Sequence, residues 1–171
     1  MRRLTLIATA VSVLALAFSG AGFLPVKLAY NGSASAPTGF YWVDNRSAVK
    51  GDYVLIRPPK SVETIIETRH YLPPNVPLIK LIAAAEGDVV CRLDGQILIN
   101  GMTVAVALSR DRASRPLPVW YGCVVLSARQ IFLLQPHPDS FDSRYFAPVD
   151  RSLIIGRSIR LRWPWRKDDQ E

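Results

Sequence analysis

An uncharged apolar run near the amino terminus constrains the architecture of this chain more than any other sequence feature. Residues 4–24 read LTLIATAVSVLALAFSGAGFL, without a single charge. As a helix rising about 1.5 Å per residue, this run would be about 31 Å long, which matches the hydrocarbon thickness of a bilayer. We therefore predict one transmembrane anchor over residues 1–24 and one further domain over residues 25–171.

The charges on either side of this run predict its orientation. Arg2 and Arg3 precede it and Lys27 follows it, which favours a cytoplasmic amino terminus and places the second domain outside the cytoplasm. Residues 19–21 (SGA) also resemble the cleavage site of a secretory signal, which would leave a mature protein starting at Gly22. The apolar run is long for a signal peptide, which favours an uncleaved anchor, and either interpretation exports the second domain.

Export would bring the two cysteines of the chain, Cys91 and Cys123, into an oxidising compartment. A disulfide between them would contribute roughly 3–4 kcal/mol in the loop-entropy model. The alternative is a pair of buried free thiols.

Composition excludes several classes of protein. A chain with 49% hydrophobic and 20% charged residues is not a disordered polyampholyte. It contains no HExxH or CxxC pattern and no glycine-rich nucleotide loop, so we expect no metal and no cofactor. The net charge of +7 is compatible with phosphate contacts. Export and the lack of a basic–aromatic platform outside the carboxyl-terminal tail nevertheless argue against nucleic acid as a partner.

The pattern of short apolar segments predicts a mainly β fold built from antiparallel sheets. The 13 prolines and 10 glycines are scattered, which disfavours a helical bundle. Asn100-Gly101 fits the type I′ turn of a hairpin, residues 61–69 predict a short helix, and residues 105–119 predict a loop or insertion. The predicted strands cover residues 39–43, 52–56, 78–85, 89–91, 96–99, 102–104, 124–125, 131–134 and 153–161.

Residues 31–39 (NGSASAPTG) form the first segment that could carry chemistry. Ser33 and Ser35 alternate with small residues that let another chain approach, and in an extended segment they point to the same side. One hydroxyl could attack a substrate while the other donates to the developing oxyanion. The alternative is an ordinary Ser-rich linker leaving the membrane.

Lys80 is the second candidate, because it interrupts the apolar stretch of residues 77–83 (PLIKLIA). In a strand it would share a face with Leu78 and Ile82. Burial lowers the pKa of a lysine, and a neutral amine could act as a general base toward a serine hydroxyl. The alternative is a lysine at the edge of a sheet.

Residues 138–146 (PDSFDSRYF) form the third candidate segment. Asp142 and Arg144 could pair and hold a loop rigid, and Ser140 could orient an amine through a hydrogen bond. The alternative is a turn whose Asp and Ser side chains cap their own backbone.

Taken in this order, the three segments resemble the serine–lysine type I signal peptidase superfamily, specifically its conjugative-transfer branch, the TraF-type peptidases. Residues 80–88 (KLIAAAEGD) match a K-[R]-x-x-A-x-x-G-D block, Asn100-Gly101 matches a hairpin, and residues 141–148 (FDSRYFAP) match a late block. The pattern N-x-[ST]-x-S-x-P-x-G-x-Y is filled by Asn31, Ser33, Ser35, Pro37, Gly39 and Tyr41.

The resemblance implies a role for each candidate residue. Ser35 corresponds to the nucleophile, Lys80 to the general base, and Ser33 to a side-chain oxyanion donor that acts with the Ser35 amide. Ser140 corresponds to the hydroxyl that orients the lysine amine, and Asp142 and Arg144 to a structural pair. The chain departs from the pattern without losing a reactive group, at Ala36, Leu81 and Ala147.

The resemblance further implies a signal-peptidase-like β fold in the periplasm, against the outer face of the bacterial inner membrane. The expected activity is a serine endopeptidase that cuts an exported precursor after a small residue, with the pilin subunit of a conjugative system as the expected substrate. The acyl-enzyme would be resolved by water, or by an amine of the same substrate to give a cyclic product. The lipid bilayer is a second expected partner, since residues 157–167 (RSIRLRWPWRK) mix cations with two tryptophans; the alternative is a last strand and a solvated tail.

Two rival functions stay open at this point. One is a Ser-His-Asp hydrolase using His70 or His137, although the chain has no GxSxG motif. The other is a non-catalytic, membrane-anchored assembly component of a conjugation or secretion apparatus.

Overall fold

The computed structural model describes residues 2–20, 27–33, 35–73 and 75–161. The first helix, α1, spans Arg2–Gly20. None of the helices within these ranges reaches the length and hydropathy required to cross a membrane. Residues 1 and 21–24 of the predicted anchor and residues 162–167 of the predicted lipid-binding stretch lie outside the described residues. The anchor therefore stays a prediction from sequence.

The rest of the described chain is mainly β, as predicted. A second helix, α2, spans Lys60–Thr68, a short helix, α3, spans Ser143–Phe146, and a 3₁₀ turn spans Arg151–Leu153. The strands are β1 (Leu28–Asn31), β2 (Gly39–Asp44), β3 (Tyr53–Ile56), β4 (Leu78–Ala84), β5 (Val89–Leu93), β6 (Gln96–Ile99), β7 (Met102–Val106), β8 (Gly122–Val125), β9 (Gln130–Leu133), β10 (Val149–Asp150) and β11 (Ile154–Arg160).

These strands form two antiparallel sheets. The large sheet has the order β1-β2-β11-β3-β4-β9-β10, and the small sheet has the order β7-β6-β5-β8. The large sheet carries one hydrophobic core beneath α2 and a second beneath the β1–β2 connection, while a third core lies between the small sheet and β9. Because β4 lies between β3 and β9, it is an interior strand.

Two tight turns determine the strand register of the small sheet. Asn100 and Gly101 both have positive φ (51° and 81°), as the predicted type I′ hairpin requires. Asp94 and Gly95 repeat this geometry between β5 and β6 (48° and 80°). Each of these dipeptides can adopt positive φ at low cost, so the register of three strands follows from local sequence.

A glycine in β11 lets two strands of the large sheet approach closely. A Cβ atom on Gly156 would lie 2.6 Å from Val43 Cγ1 and 2.7 Å from the Asp44 carbonyl oxygen, closer than real contacts allow. The pairing of β11 with β3 shifts register between Ile154 and Gly156. This bulge therefore needs a residue without a side chain.

A disulfide links two neighbouring strands of the small sheet. Cys91 on β5 and Cys123 on β8 are directly opposite each other, with an S–S distance of 2.00 Å and a Cα–Cα distance of 4.0 Å. The bond holds β8 at the edge of this sheet.

The connection between β7 and β8 packs across α3. Trp120 Nε1 donates to the Ser143 carbonyl oxygen at 3.0 Å, and the Leu108 amide donates to the Tyr145 hydroxyl at 3.1 Å. The β7–β8 connection is thereby fastened to α3, which follows the loop that carries Ser140.

Candidate active site

The β1–β2 connection is organised around one side chain, Asn31 at the end of β1. The two protons of its amide nitrogen Nδ2 are shared among three carbonyl oxygens of the loop, those of Ser33 (3.0 Å), Ala36 (2.8 Å) and Pro37 (3.3 Å). Backbone pairing of Asn31 with Gly39 closes the loop at its base. The segment is therefore a fixed loop rather than an extended linker.

The two hydroxyls of this loop are hydrogen-bonded to each other. Asn31 Oδ1 accepts from the Ser33 amide (3.2 Å) and from Ser33 Oγ (2.9 Å), and Ser33 Oγ lies 2.9 Å from Ser35 Oγ. Since the single hydroxyl proton of Ser33 points to Asn31, the proton in the Ser33–Ser35 bond comes from Ser35. The two hydroxyls thus lie together, although this loop is not the extended segment on which the expectation from sequence was based.

Tyr41 attaches this loop to the core. Its ring is buried in β2 beside Ala36, and its hydroxyl donates to the Pro37 carbonyl oxygen at 2.7 Å. Burial, reinforced by neighbouring Tyr53, raises the pKa of Tyr41 to about 12. The phenol therefore remains a proton donor throughout the physiological pH range.

Lys80 lies on the interior strand β4 with 3% of its surface exposed, so the edge-strand alternative is wrong. Burial lowers the pKa of its amine from 10.5 to about 8, an effect partly offset by the Asp142 carboxylate and reinforced by the Arg144 guanidinium. A lowered pKa raises the fraction of molecules that carry a neutral Lys80 amine near neutral pH. Its Nζ donates to Ser140 Oγ at 2.8 Å.

Asp142 and Arg144 form a buried bidentate ion pair. Arg144 Nε and Nη2 donate to the two Asp142 oxygens at 2.9 and 2.8 Å. The guanidinium also donates to the carbonyl oxygens of Gln135 (2.9 Å), His137 (2.8 Å) and Pro138 (3.2 Å). Asp142 in turn accepts from the Gln135 amide at 3.0 Å, so the pair ties residues 135–138 to α3. Such fully hydrogen-bonded geometry is what makes a buried ion pair tolerable.

This ion pair sets the position of Ser140. The Ser140 amide donates to the His137 carbonyl oxygen at 3.1 Å, and that oxygen is also held by Arg144. The Ser140 hydroxyl is therefore presented to Lys80 from a rigid loop. The capping alternative also holds locally, because Asp142 accepts from the Arg144 amide at the start of α3.

Two polar residues that the sequence analysis did not single out support the site. Gln135 Nε2 donates to the Ile79 carbonyl oxygen at 3.1 Å, next to Lys80, and Arg92 Nη1 donates to the Arg144 carbonyl oxygen at 2.6 Å. The sequence signals that could have identified them are a glutamine directly after an apolar segment and an arginine inside one. Both side chains are buried.

A cavity of about 480 Å³ joins the candidate residues. Within the described residues, Ser35 Oγ is hydrogen-bonded to Ser33 and Lys80 Nζ to Ser140, with no direct bond between Ser35 and Lys80. Both side chains nevertheless line this one cavity. The other walls are largely apolar and include Ile66, Tyr71, Leu72, Leu78, Leu108, Leu117, Phe141 and Tyr145.

The two histidines differ in their relation to this cavity. His70 is exposed after α2, whereas His137 lines the cavity. His137 Nδ1 accepts from the Asp139 amide at 3.2 Å, whereas a Ser-His-Asp triad needs Nδ1 to donate to a carboxylate. Within the ranges that the structure describes, no group of three His, Cys, Asp or Glu side chains could hold a metal ion.

Comparison with known proteins identifies the family. A family model described as signal peptidase, peptidase S26, matches residues 1–163. A plasmid transfer protein TraF from Escherichia coli is 33% identical over 152 residues, covering 82% of this chain and 85% of its own length. A second TraF from Escherichia coli is 31% identical over 135 residues, covering 72% and 76%.

A solved signal peptidase I from Enterococcus faecalis V583 matches 67% of this chain and 98% of its own length, at 16% identity and a TM-score of 0.39, too remote a similarity to add to the assignment. The family model and the relatives suffice: the chain belongs to the peptidase S26 family of signal peptidases. Within that family it is a TraF-type member, and the family resemblance expected from sequence is confirmed.

Proposed function

We propose that this protein is a membrane-anchored serine endopeptidase that uses Ser35 as nucleophile and Lys80 as general base. The observation that carries the proposal is a buried amine with a pKa lowered to about 8, on the wall of the cavity that Ser35 also lines. A lysine with its ordinary pKa would be almost entirely protonated near neutrality and could not accept a proton. Membership of a signal peptidase family supports the same chemistry.

In the proposed reaction, neutral Lys80 takes the Ser35 hydroxyl proton while Ser35 Oγ bonds to the scissile carbonyl carbon. The carbonyl oxygen becomes an oxyanion that accepts from the Ser35 amide and the Ser33 hydroxyl. Collapse of this intermediate breaks the peptide bond, and Lys80 returns its proton to the leaving amine. Water, deprotonated by Lys80, then releases the acyl group. Ser140 keeps the Lys80 amine aligned through the 2.8 Å hydrogen bond.

The hydrogen bonds among Asn31, Ser33 and Ser35 describe a resting arrangement. The Ser35 proton is directed to Ser33 Oγ, and the Ser33 proton to Asn31 Oδ1. For catalysis, we propose that the Ser35 hydroxyl rotates toward Lys80 and the Ser33 hydroxyl toward the substrate. Single-bond rotations of partly exposed serine side chains are fast compared with turnover.

The proposed substrate is an exported precursor, with the pilin subunit of a conjugative transfer system as the first candidate and cleavage after a small residue. The plasmid transfer function in the names of the TraF relatives supports this choice. Either water or an amine of the same substrate would resolve the acyl-enzyme, the latter yielding a cyclic product.

We propose that residues 1–24 anchor the protein in the inner membrane and that the peptidase domain lies in the periplasm, against the bilayer. The Cys91–Cys123 disulfide is consistent with an oxidising compartment. The outer face of the large sheet next to Lys27 also supports contact with lipid, because cross-strand pairing gathers exposed apolar side chains there. They are Leu28, Tyr30, Phe40, Trp42, Ile159 and Leu161.

Mass spectrometry of the pilin precursor, co-expressed with each of four variants of the peptidase, tests the proposal. Ser35→Ala and Lys80→Ala should leave the precursor intact, while the exposed controls Ser47→Ala and Lys60→Ala should process it. A cyclic product would lack one water relative to the linear product. Normal processing by either dyad variant refutes the dyad, and full complementation of a deletion by Ser35→Ala would favour the non-catalytic assembly role.

A further inference from the structure

Two cavities meet at one pair of residues. Besides the 480 Å³ cavity, a more open one of about 550 Å³ is lined by the second half of the β1–β2 loop, Tyr53 and Pro136–His137. Of the residues lining the two cavities, Ser35 and His137 are the ones they share. A peptide that passes from one cavity to the other while reaching Ser35 must therefore pass His137.

The backbone of His137 is held firmly at this position. Its carbonyl oxygen accepts from Arg144 Nη2 at 2.8 Å and from the Ser140 amide at 3.1 Å. These are the contacts that also fix Ser140 against Lys80. The Asp142–Arg144 pair thus positions His137 and the lysine-orienting hydroxyl together.

The hydrogen bond to the His137 ring defines its tautomer. Nδ1 accepts from the Asp139 amide at 3.2 Å, so Nδ1 carries no proton. The proton of the neutral imidazole is then on Nε2, which is a donor. A ring in this tautomer cannot serve Ser35 as a base through Nε2, but it can donate to a carbonyl oxygen.

We infer that the substrate chain runs between Ser35 and His137 from one cavity into the other, and that His137 Nε2 donates to a main-chain carbonyl oxygen of the substrate beside the scissile bond. This inference rests on the proposed peptidase function and adds a substrate-binding residue to it. Because the interaction is made with the peptide backbone, it would align the scissile bond over Ser35 whatever the side chains of the substrate.

Two isosteric substitutions separate this role from a structural one. In His137→Gln, the side-chain amide nitrogen takes the place of Nε2 and the Nδ1 acceptor is lost. In His137→Asn, the side-chain oxygen takes the place of Nδ1 and keeps the bond to Asp139, while the Nε2 donor is lost. The assay is kcat/KM of the full chain in detergent micelles, on a short internally quenched peptide spanning the pilin processing site.

We expect His137→Asn to lower kcat/KM about tenfold, the scale of one neutral hydrogen bond, and His137→Gln to stay within about threefold of wild type. The reverse order would assign His137 to holding the Asp139 loop and overturn the inference. Equal losses, or no loss in either variant, would also overturn it. His70→Asn is the matched control and should be silent.

A second measurement needs no substitution at His137. The chain has only two histidines, so imidazole ¹⁵N signals of the Ser35→Ala protein are readily assigned. Adding the same peptide should shift the Nε2 signal of His137 and leave that of His70 unchanged; a silent His137 with saturating peptide refutes the contact. If the wild-type enzyme cleaves and Ser35→Ala does not, the peptidase proposal survives either result. If the wild-type enzyme cleaves nothing, the peptidase proposal fails first.

Discussion

Replacing Lys80 with methionine should stabilise the fold while abolishing the proposed activity. Methionine has a similar length and no charge, so it removes the cost of burying an ammonium ion. Because one pKa unit corresponds to 1.36 kcal/mol, a drop from 10.5 to about 8 amounts to about 3 kcal/mol. Ser140 loses its partner in the variant, which costs about 1 kcal/mol, so the net gain at pH 7 is about 2 kcal/mol.

The sign of the pH dependence follows from the two pKa values of Lys80. Below about pH 8 both the folded and the unfolded chain carry the proton, and the folded state bears the full penalty. As pH rises from 8 toward 10.5, the folded state is neutral, and the penalty disappears once the unfolded chain also loses its proton. The advantage of Lys80→Met should therefore fall by about 2 kcal/mol between pH 7 and pH 10.

Denaturant unfolding of both proteins in detergent micelles at several pH values measures this difference. Lys60→Met, at an exposed position on α2, is the matched control and should show no such pH-dependent gain. A Lys80→Met protein that is less stable than wild type at pH 7, or a stability difference independent of pH, would refute the reasoning that the amine is buried at the expense of stability.

Further predictions concern the pH profile and the supports of the site. kcat/KM should rise with pH through about 8 and then level off, as Lys80 deprotonates; a profile that is flat between pH 6 and 9 contradicts this. Asn31→Ala should slow peptide cleavage at least tenfold at nearly constant KM, because it releases the Ser33 and Ser35 loop. Arg144→Lys should destabilise the fold by about 3–5 kcal/mol in denaturant unfolding, since lysine cannot replace the bidentate pair. Cys123→Ser should cost about 2–4 kcal/mol in the same assay, and added reductant should produce that loss in wild type but not in the variant.

Local signals were enough for much of the fold. Short apolar segments predicted β2, β3, β4 and β9, and the Asn-Gly pair predicted the β6–β7 hairpin, because both signals depend on near neighbours in the sequence. β1 and β10 were missed. β1 has four residues and β10 has two, which is too short to show a strand period, so these strands are defined by their pairing with other strands.

The sequence identified the candidate site residues, but it did not show which of them contact each other. Two serines among small residues, a lysine in an apolar run and an Asp-x-Arg pair each stood out locally. Every one of them had an equally local alternative, such as a linker, an edge strand or a capped turn. Only the family resemblance of all three segments together chose between these alternatives.

The sequence determines which reactive side chains are present, whereas the tertiary structure determines their protonation and their contacts. Whether Lys80 is a solvated cation or a usable base depends on its burial on an interior strand, with its amine against Ser140. Ser140 lies 60 residues from Lys80 in the chain, yet it hydrogen-bonds to the Lys80 amine. The Asp142–Arg144 ion pair holds the Ser140 loop in the position that allows this contact. Desolvation and long-range contact arise when strands close around a group, and no local pattern encodes that closure.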